Sequence, residues 1–354
     1  MGIDRQQDFS GTVAGDLPLA ALEAYLHETM VGFSGPLTAQ RFKGGQSNPT
    51  YLLATPGKRF VLRRKPPGKL LASAHAIDRE FRVTAALHRA GFPVAKPLVL
   101  CTDDSIIGTA FYVMDHVAGR IFWEPHAPGL GGADRSQLFA SMNATLARLH
   151  SFDFAALGLA DFGRPQGYVA RQIRRWSEQY RASETETIPE MDRLIAWLPQ
   201  ACPKETAAAI VHGDFRLDNC IVHPPEPWII AVLDWELSSI GDPLADFTYH
   251  LMQWFMPVSE SGAGVGSLIG HEHDPGVPVI ADYIADYCRA TGRTGIAELN
   301  TYLAYNFFRL AAILQGILGR VRDGTAANAQ AASMARQVQP LARTAWDFAR
   351  QAGA

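Results

Sequence analysis

Three oxygen-bearing side chains stand where short strand-like runs end: Asp214 and Asn219 in Val211-His212-Gly213-Asp214-Phe215-Arg216-Leu217-Asp218-Asn219, and Asp234 in Val232-Leu233-Asp234-Trp235-Glu236. These residue types suit phosphoryl transfer. An attacking hydroxyl must be held in line, which a carboxylate does by accepting its proton, and hard divalent cations with oxygen ligands must screen the phosphate charge. Asp214 is then the base, and Asn219 and Asp234 are ligands for Mg2+. Arg216, two residues after the base, either neutralises charge on the transferring phosphate or is a solvated surface arginine. His212 is read as a structural residue that hydrogen-bonds the loop. Any one of these side chains could simply cap a turn. A turn has no reason, however, to place Asn219 five residues after Asp214 and Asp234 past a short hairpin as well.

A second group lies upstream and suits the nucleotide, ATP. Lys43-Gly44-Gly45-Gln46-Ser47-Asn48 joins two strand-like segments, and paired glycines let backbone N–H groups approach phosphate oxygens. Gly44, Gly45, Gln46, Ser47 and Asn48 are therefore candidate nucleotide contacts, although a Gly-Gly hairpin is often no more than a hairpin. The Walker A pattern is missing, which removes the P-loop fold. In the run Arg59 to Lys65, Arg63 and Lys65 share a face by the two-residue period, so either could hold the α and β phosphates; Arg63 is preferred. In the next helix Ile77, Phe81, Thr84 and His88 mark one face, with Glu80 at its edge and Arg63 as the partner that a carboxylate there wants. Met114, Asp115 and Val117 leave a strand and could meet an adenine. Asp242 reads as a helix N-cap and Asp246, a turn further in, as a brace for the catalytic loop.

The elements that must position these residues divide by texture. Helical Leu17 to Thr29, with Asp16 as N-cap, precedes strands near Ala39 to Lys43, Tyr51 to Thr55 and Arg59 to Lys65. A helix over Ser73 to Ala90 ends at Gly91, and strands near Pro97 to Cys101 and Ala110 to Met114 complete five. Helical patterns dominate afterwards, from Arg135 to the C-terminus, with Ser261 to Gly276 as a long loop. The expected organisation is an N-terminal nucleotide-binding lobe over 1–114, a hinge over 115–120, and a catalytic and substrate-binding lobe over 121–354.

Composition excludes several classes. The chain has 354 residues, is 47% hydrophobic and carries a net charge of -3, which gives no basic excess for nucleic acid or an anionic membrane. Four cysteines, Cys101, Cys202, Cys220 and Cys288, form no CxxC pair or Cys/His cluster, so neither a disulfide framework nor a zinc site is expected. No apolar run is long enough to cross a bilayer, and a cytoplasmic location is expected.

The order Asp214, Asn219, Asp234 is that of protein kinases, and the fuller set resembles the aminoglycoside phosphotransferase family, in the branch similar to the kinase-like domain fused to acyl-CoA dehydrogenases. The carriers are the His212 to Asn219 loop, Asp234-Trp235-Glu236, Gly241 to Asp246, and Phe60-Val61-Leu62-Arg63-Arg64-Lys65-Pro66-Pro67-Gly68 leading to Glu80. The resemblance implies an α+β, two-lobed protein-kinase-like fold: a small lobe with a five-stranded antiparallel sheet and one main helix, and a larger helical lobe. It also implies ATP and Mg2+, with Asp214 as base, Asn219 and Asp234 on magnesium, and adenine near Asp115 to Val117. Arg63 stands where most kinases place lysine, and Trp235-Glu236 replaces the Phe-Gly of protein kinases, which disfavours protein-kinase activity. The partner is then a small molecule bearing a hydroxyl. Arg171, Arg174 and Arg175 form a basic cluster; if it lines the pocket, the acceptor is anionic, for example a hydroxyacyl thioester, rather than a polycationic aminoglycoside. An aminoglycoside-type antibiotic kinase, an inactive nucleotide-binding pseudokinase and a metal-dependent hydrolase are the other readings.

Overall fold

A computed structural model describes residues 9–13, 16–42, 48–66, 76–205, 207–258, 266–324 and 331–354. Candidate residues Gly44, Gly45, Gln46 and Ser47 lie outside the described residues. The chain divides into two compact units, one made of Met1–Ile121, Ala155–Leu159 and Asn219–Ser238, the other of Phe122–Phe154, Ala160–Asp218 and Ser239–Ala354. The segment Asn219–Ser238 thus packs with residues far upstream of it, although its neighbours in sequence belong to the helical unit.

The first unit is built on an antiparallel sheet of strands β1 (Phe9–Val13), β2 (Thr38–Phe42), β3 (Thr50–Ala54), β4 (Arg59–Arg64), β5 (Pro97–Cys101) and β6 (Phe111–Asp115), in the order β1-β2-β3-β4-β6-β5. The five strands expected from alternation are present, and β1 adds a sixth at the edge. In β4, Phe60, Leu62 and Arg64 are buried on one face while Val61 and Arg63 face the other. The first face joins a core with Leu22 and Leu26 of helix α1 (Leu19–Thr29), Tyr51, Leu53, Phe111 and Val113. Asp16 does not cap α1, whose N-cap is Pro18. Its carboxylate instead accepts from Tyr51 Oη at 2.5 Å and pairs with the buried Arg64 at 2.8 Å, an interaction that local spacing could not reveal. On the other face lies helix α2 (Ile77–Arg89), which ends before Gly91 at φ 73, as its glycine predicts. The buried stripe of α2 runs through Ile77, Glu80, Val83, Thr84 and Leu87, so Glu80 sits in its middle and not at its edge.

The second unit is helical: α3 (Gly132–Ser151), α4 (Tyr168–Ser183), α5 (Pro189–Trp197), α6 (Pro243–Leu251), α7 (Ile280–Ala290), α8 (Leu299–Arg322) and α9 (Ala331–Gln351). Helix α8 packs against α4, α6 and α9, and its buried residues Phe307, Phe308, Leu310 and Ala311 lie at the centre of this unit. A two-stranded ribbon of β7 (Ala209–Val211) and β10 (Ser239–Gly241) presents the His212 to Asn219 sequence at one strand end and launches α6 from the other. Gly241 is required there, because a Cβ would fall 2.7 Å from the Tyr168 ring. The intervening strands β8 (Cys220–Val222) and β9 (Ile229–Val232) form a hairpin that belongs to the first unit. Among the described residues no helix is long and apolar enough to cross a membrane.

Candidate active site

The residues expected to meet the phosphates lie in the first unit, where sheet register brings them together. Arg63 of β4 faces Tyr112 of β6, and Glu80 of α2 lies against both. The Arg63 Nε stands 3.2 Å from Glu80 Oε2, and its Nη2 stands 3.0 Å from Asp234 Oδ1 and 4.0 Å from Glu236 Oε2. Glu80, 1% exposed, accepts further hydrogen bonds from Asn48 Nδ2 at 2.9 Å and Tyr112 Oη at 3.1 Å. Burial pushes the Glu80 carboxyl above its usual range, opposed by Arg63 and reinforced by Asp234. Burial also works against charge on Arg63, but Tyr112, Glu80 and Asp234 outweigh it, and the guanidinium stays fully charged. Of the two cations on this face, it is therefore Arg63 that pairs with Glu80. Lys65 continues the strand by donating its amide to Ala110 O at 3.1 Å.

The hairpin β8–β9 brings the two metal-ligand candidates to one end. Leu233 N donates to Asn219 O at 2.8 Å, so Asn219 stands across from the residue before Asp234. Asp234 has φ 63, a left-handed conformation sparsely used outside glycine and the kind of strain that collects at functional positions. Trp235 holds the turn: its Nε1 donates to Val232 O at 3.0 Å and its ring meets Phe92 edge-on at 5.9 Å. An amide oxygen and a carboxylate at one hairpin end fit Mg2+, which takes few protein ligands and completes its shell with water and phosphate oxygens.

At the strand end before the expected adenine position, Met114 packs on Ile77, Ala110 and Tyr112. Asp115 donates its amide to Lys96 O at 2.9 Å, and its carboxylate pairs with Lys58 at 3.0 Å. The amide of Asp115 is thus already used by the sheet, and Val117 follows two residues on.

The candidate base lies in the second unit. Asp246, inside α6, accepts from His212 N at 2.7 Å and Gly213 N at 2.8 Å, and His150 Nε2 stands 3.1 Å from it. Burial disfavours its charge, yet the hydrogen bond and field of His150, with His212, hold the carboxyl below its usual range. Gly213 turns at φ 85, which the brace requires and which a Cβ would resist. His212 is buried and accepts from Asp214 N at 3.2 Å through Nδ1, a structural role. Asp214 Oδ1 accepts from Tyr249 Oη at 2.7 Å and lies 3.2 Å from Arg216 Nε, while Arg216 Nη2 reaches Asp218 at 2.9 Å. Arg216, Leu217, Asp218, Tyr249, His250 and Gln253 line one pocket with Trp123, Pro125 and Gly266. Arg171, Arg174 and Arg175 are absent from its wall. Arg171 folds back on Arg164 O and Gln166 O, Arg174 pairs with Glu178, and Arg175 lies over Trp176. That cluster is a helix surface and gives no support to an anionic acceptor.

Tyr112, Tyr249, Arg309 and the side-chain use of Asn48 escaped the sequence reading. Asp242, Asp246 and Tyr249 do share one face of α6 at helical spacing, a signal that was there to find. Arg309 and Tyr112 meet their partners only through tertiary register.

The sequence profile of the phosphotransferase enzyme family matches residues 38–299. Acyl-CoA dehydrogenase family member 10 of Mus musculus is 43% identical over all of this chain, which spans 33% of that relative's length. The crystal structure of a candidate aminoglycoside phosphotransferase from Ralstonia eutropha JMP134 is 46% identical with a TM-score of 0.85, covering 96% of this chain and 100% of the other. A spectinomycin phosphotransferase crystallised with ADP and spectinomycin, 13% identical, shares the fold with a TM-score of 0.61 over 94% of this chain and 98% of its own. By the profile match and these identities, the chain belongs to the phosphotransferase enzyme family.

Proposed function

We propose that the chain is a small-molecule kinase that moves the γ-phosphate of Mg-ATP to a hydroxyl group. The carrying observation is Arg63, pinned between Glu80 at 3.2 Å and Asp234 at 3.0 Å. A buried cation tied on one side to a helix carboxylate and on the other to the candidate metal ligand is the arrangement kinases use on the phosphates. In this reading Arg63, with the sequence Gly44 to Ser47, holds the phosphates and Glu80 fixes Arg63, while Lys65 is displaced from that role. Asn219 and Asp234 would hold Mg2+, which when bound supplies charge neutralisation to the phosphates. The Asp115 carbonyl and the Val117 amide would meet the adenine edge beside Met114; the ADP in the spectinomycin enzyme supports nucleotide use on this fold.

Asp214 would accept the acceptor's proton as the new O–P bond forms and the bond to ADP breaks, and Arg216 would offset charge on the transferring group. We propose a hydroxyl-bearing acyl compound as the acceptor, supported by the acyl-CoA dehydrogenase named in the relative. A polycation is disfavoured, because Asp218, the one carboxylate among the described residues lining the pocket, already pairs with Arg216. We propose a cytoplasmic location, in keeping with four cysteines that form no CxxC pair in the sequence. Incubating the chain with Mg-ATP and a panel of hydroxylated metabolites, including hydroxyacyl-CoA compounds and kanamycin, tests the acceptor by mass gain. Phosphorylation of hydroxyacyl compounds is expected; rapid turnover of kanamycin with none of the acyl compounds would overturn the acceptor assignment.

A further inference from the structure

Tyr249 stands on α6 three residues past Asp246, and its hydroxyl donates to Oδ1 of Asp214 at 2.7 Å. The ring is buried, and the Arg309 guanidinium of α8 lies over its face 5.1 Å from the centroid. Arg309 Nη2 also donates to Gly213 O at 2.8 Å. One side chain therefore fixes the turn before Asp214, and the side chain stacked on it fixes the carboxylate. Arg216 Nε approaches the same Oδ1 at 3.2 Å, so two groups from different elements act on one oxygen. Burial, with the Asp214 charge, pushes the Tyr249 phenol far up, so it remains a protonated donor. A tyrosine serving only as core filler has no need of this partner; phenylalanine would fill the same space.

We propose that Tyr249 is a positioning residue for phosphoryl transfer, setting the rotation of the Asp214 carboxylate so that the acceptor's proton has a fixed destination. The inference rests on the kinase reading above. Tyr249 keeps its own proton throughout: the acceptor O–H proton passes to Asp214 as the O–P bond forms and ADP leaves.

The test combines rate and resonance. In Tyr249→Phe, kcat for Mg-ATP turnover with the acceptor found by the screen should fall about tenfold to a hundredfold, the scale of a lost hydrogen bond to a charged group. KM for ATP should stay within about twofold. In an Asp214→Asn background the same substitution should change the residual rate less than about twofold, because two residues acting as one unit are not additive. An unchanged kcat, or an equal loss in both backgrounds, overturns the proposal. A second readout needs no turnover. In the chain labelled with 13C at the tyrosine ζ-carbons, the resonance that Tyr249→Phe removes should shift in Asp214→Asn, and a resonance that does not move overturns the pairing. Absence of ADP formation by the native chain counts against the kinase reading instead, and the resonance still decides whether Tyr249 and Asp214 are coupled.

Discussion

Arg63 and Glu80 lie where burial disfavours either charge without a partner. Their side chains are 12% and 1% exposed, and the pair is completed by Asn48, Tyr112 and Asp234. Truncating Glu80 leaves Arg63 with Asp234 but takes the acceptor from the buried Tyr112 hydroxyl, at a cost of about 1 to 3 kcal/mol. Glu80→Ala should therefore lower the urea midpoint and also raise KM for Mg-ATP, since Arg63 loses the anchor on its helix side. A variant as stable as the parent with the same KM would show that the pair neither holds the fold nor places the phosphate cation. The sequence showed Arg63, Glu80, Asp214 and Asp234, because residue type and spacing are local properties. It hid Tyr112 and the amide of Asn48, since the first meets Glu80 through strand register and the second through a contact spanning 32 residues.

At the scale of elements, α6 concentrates the polar work of the second unit. Asp242 caps it, accepting from Leu244 N at 2.9 Å and from Tyr302 Oη at 2.6 Å. Asp246 braces the loop, Tyr249 meets Asp214, and His250 lies buried against Phe215 O and Tyr283 Oη. Burial pushes the His250 imidazole down from the usual 6.5 to about 4, so the folded chain holds it neutral. Below about pH 6.5 the unfolded chain takes up this proton first, and stability falls until about pH 4, where the folded form titrates too. Asp246, held low, adds stability that is present above its ordinary value near 3.8 and lost as the pH drops through its folded value. Thermal melts across this range should show a decline beginning near pH 6.5, and His250→Gln should flatten its upper part. A flat profile from pH 6.5 to 4 in the parent would contradict the buried neutral histidine. Alternation and capping residues made most elements readable in the sequence. They failed for β1, whose Phe-Ser-Gly-Thr-Val run is short and broken by glycine, and for the buried face of α2, whose centre is a carboxylate that hydrophobic patterning ranks as surface.

Over the whole molecule, the chain passes from one unit to the other between Asp218 and Asn219, inside the loop that carries the candidate base and the first metal-ligand candidate. The texture of the sequence changes only once, near residues 115–120, so nothing local announces that Asn219–Ser238 packs with the sheet unit. What places it there is Val232 N on Pro93 O at 2.8 Å and Trp235 against Phe92, contacts made by segments more than a hundred residues apart. The family resemblance was legible because its motifs are short and fixed in spacing; the acceptor was not, because pocket walls come from several loops at once. The central claim, transfer of phosphate from Mg-ATP with Asp214 as base, is tested most directly by ADP formation with and without a hydroxylated acceptor, for the native chain and for Asp214→Ala. The account predicts ADP that depends on the acceptor and a loss of at least about a hundredfold in the variant. ADP released equally without an acceptor, or a variant as fast as the parent, would contradict it.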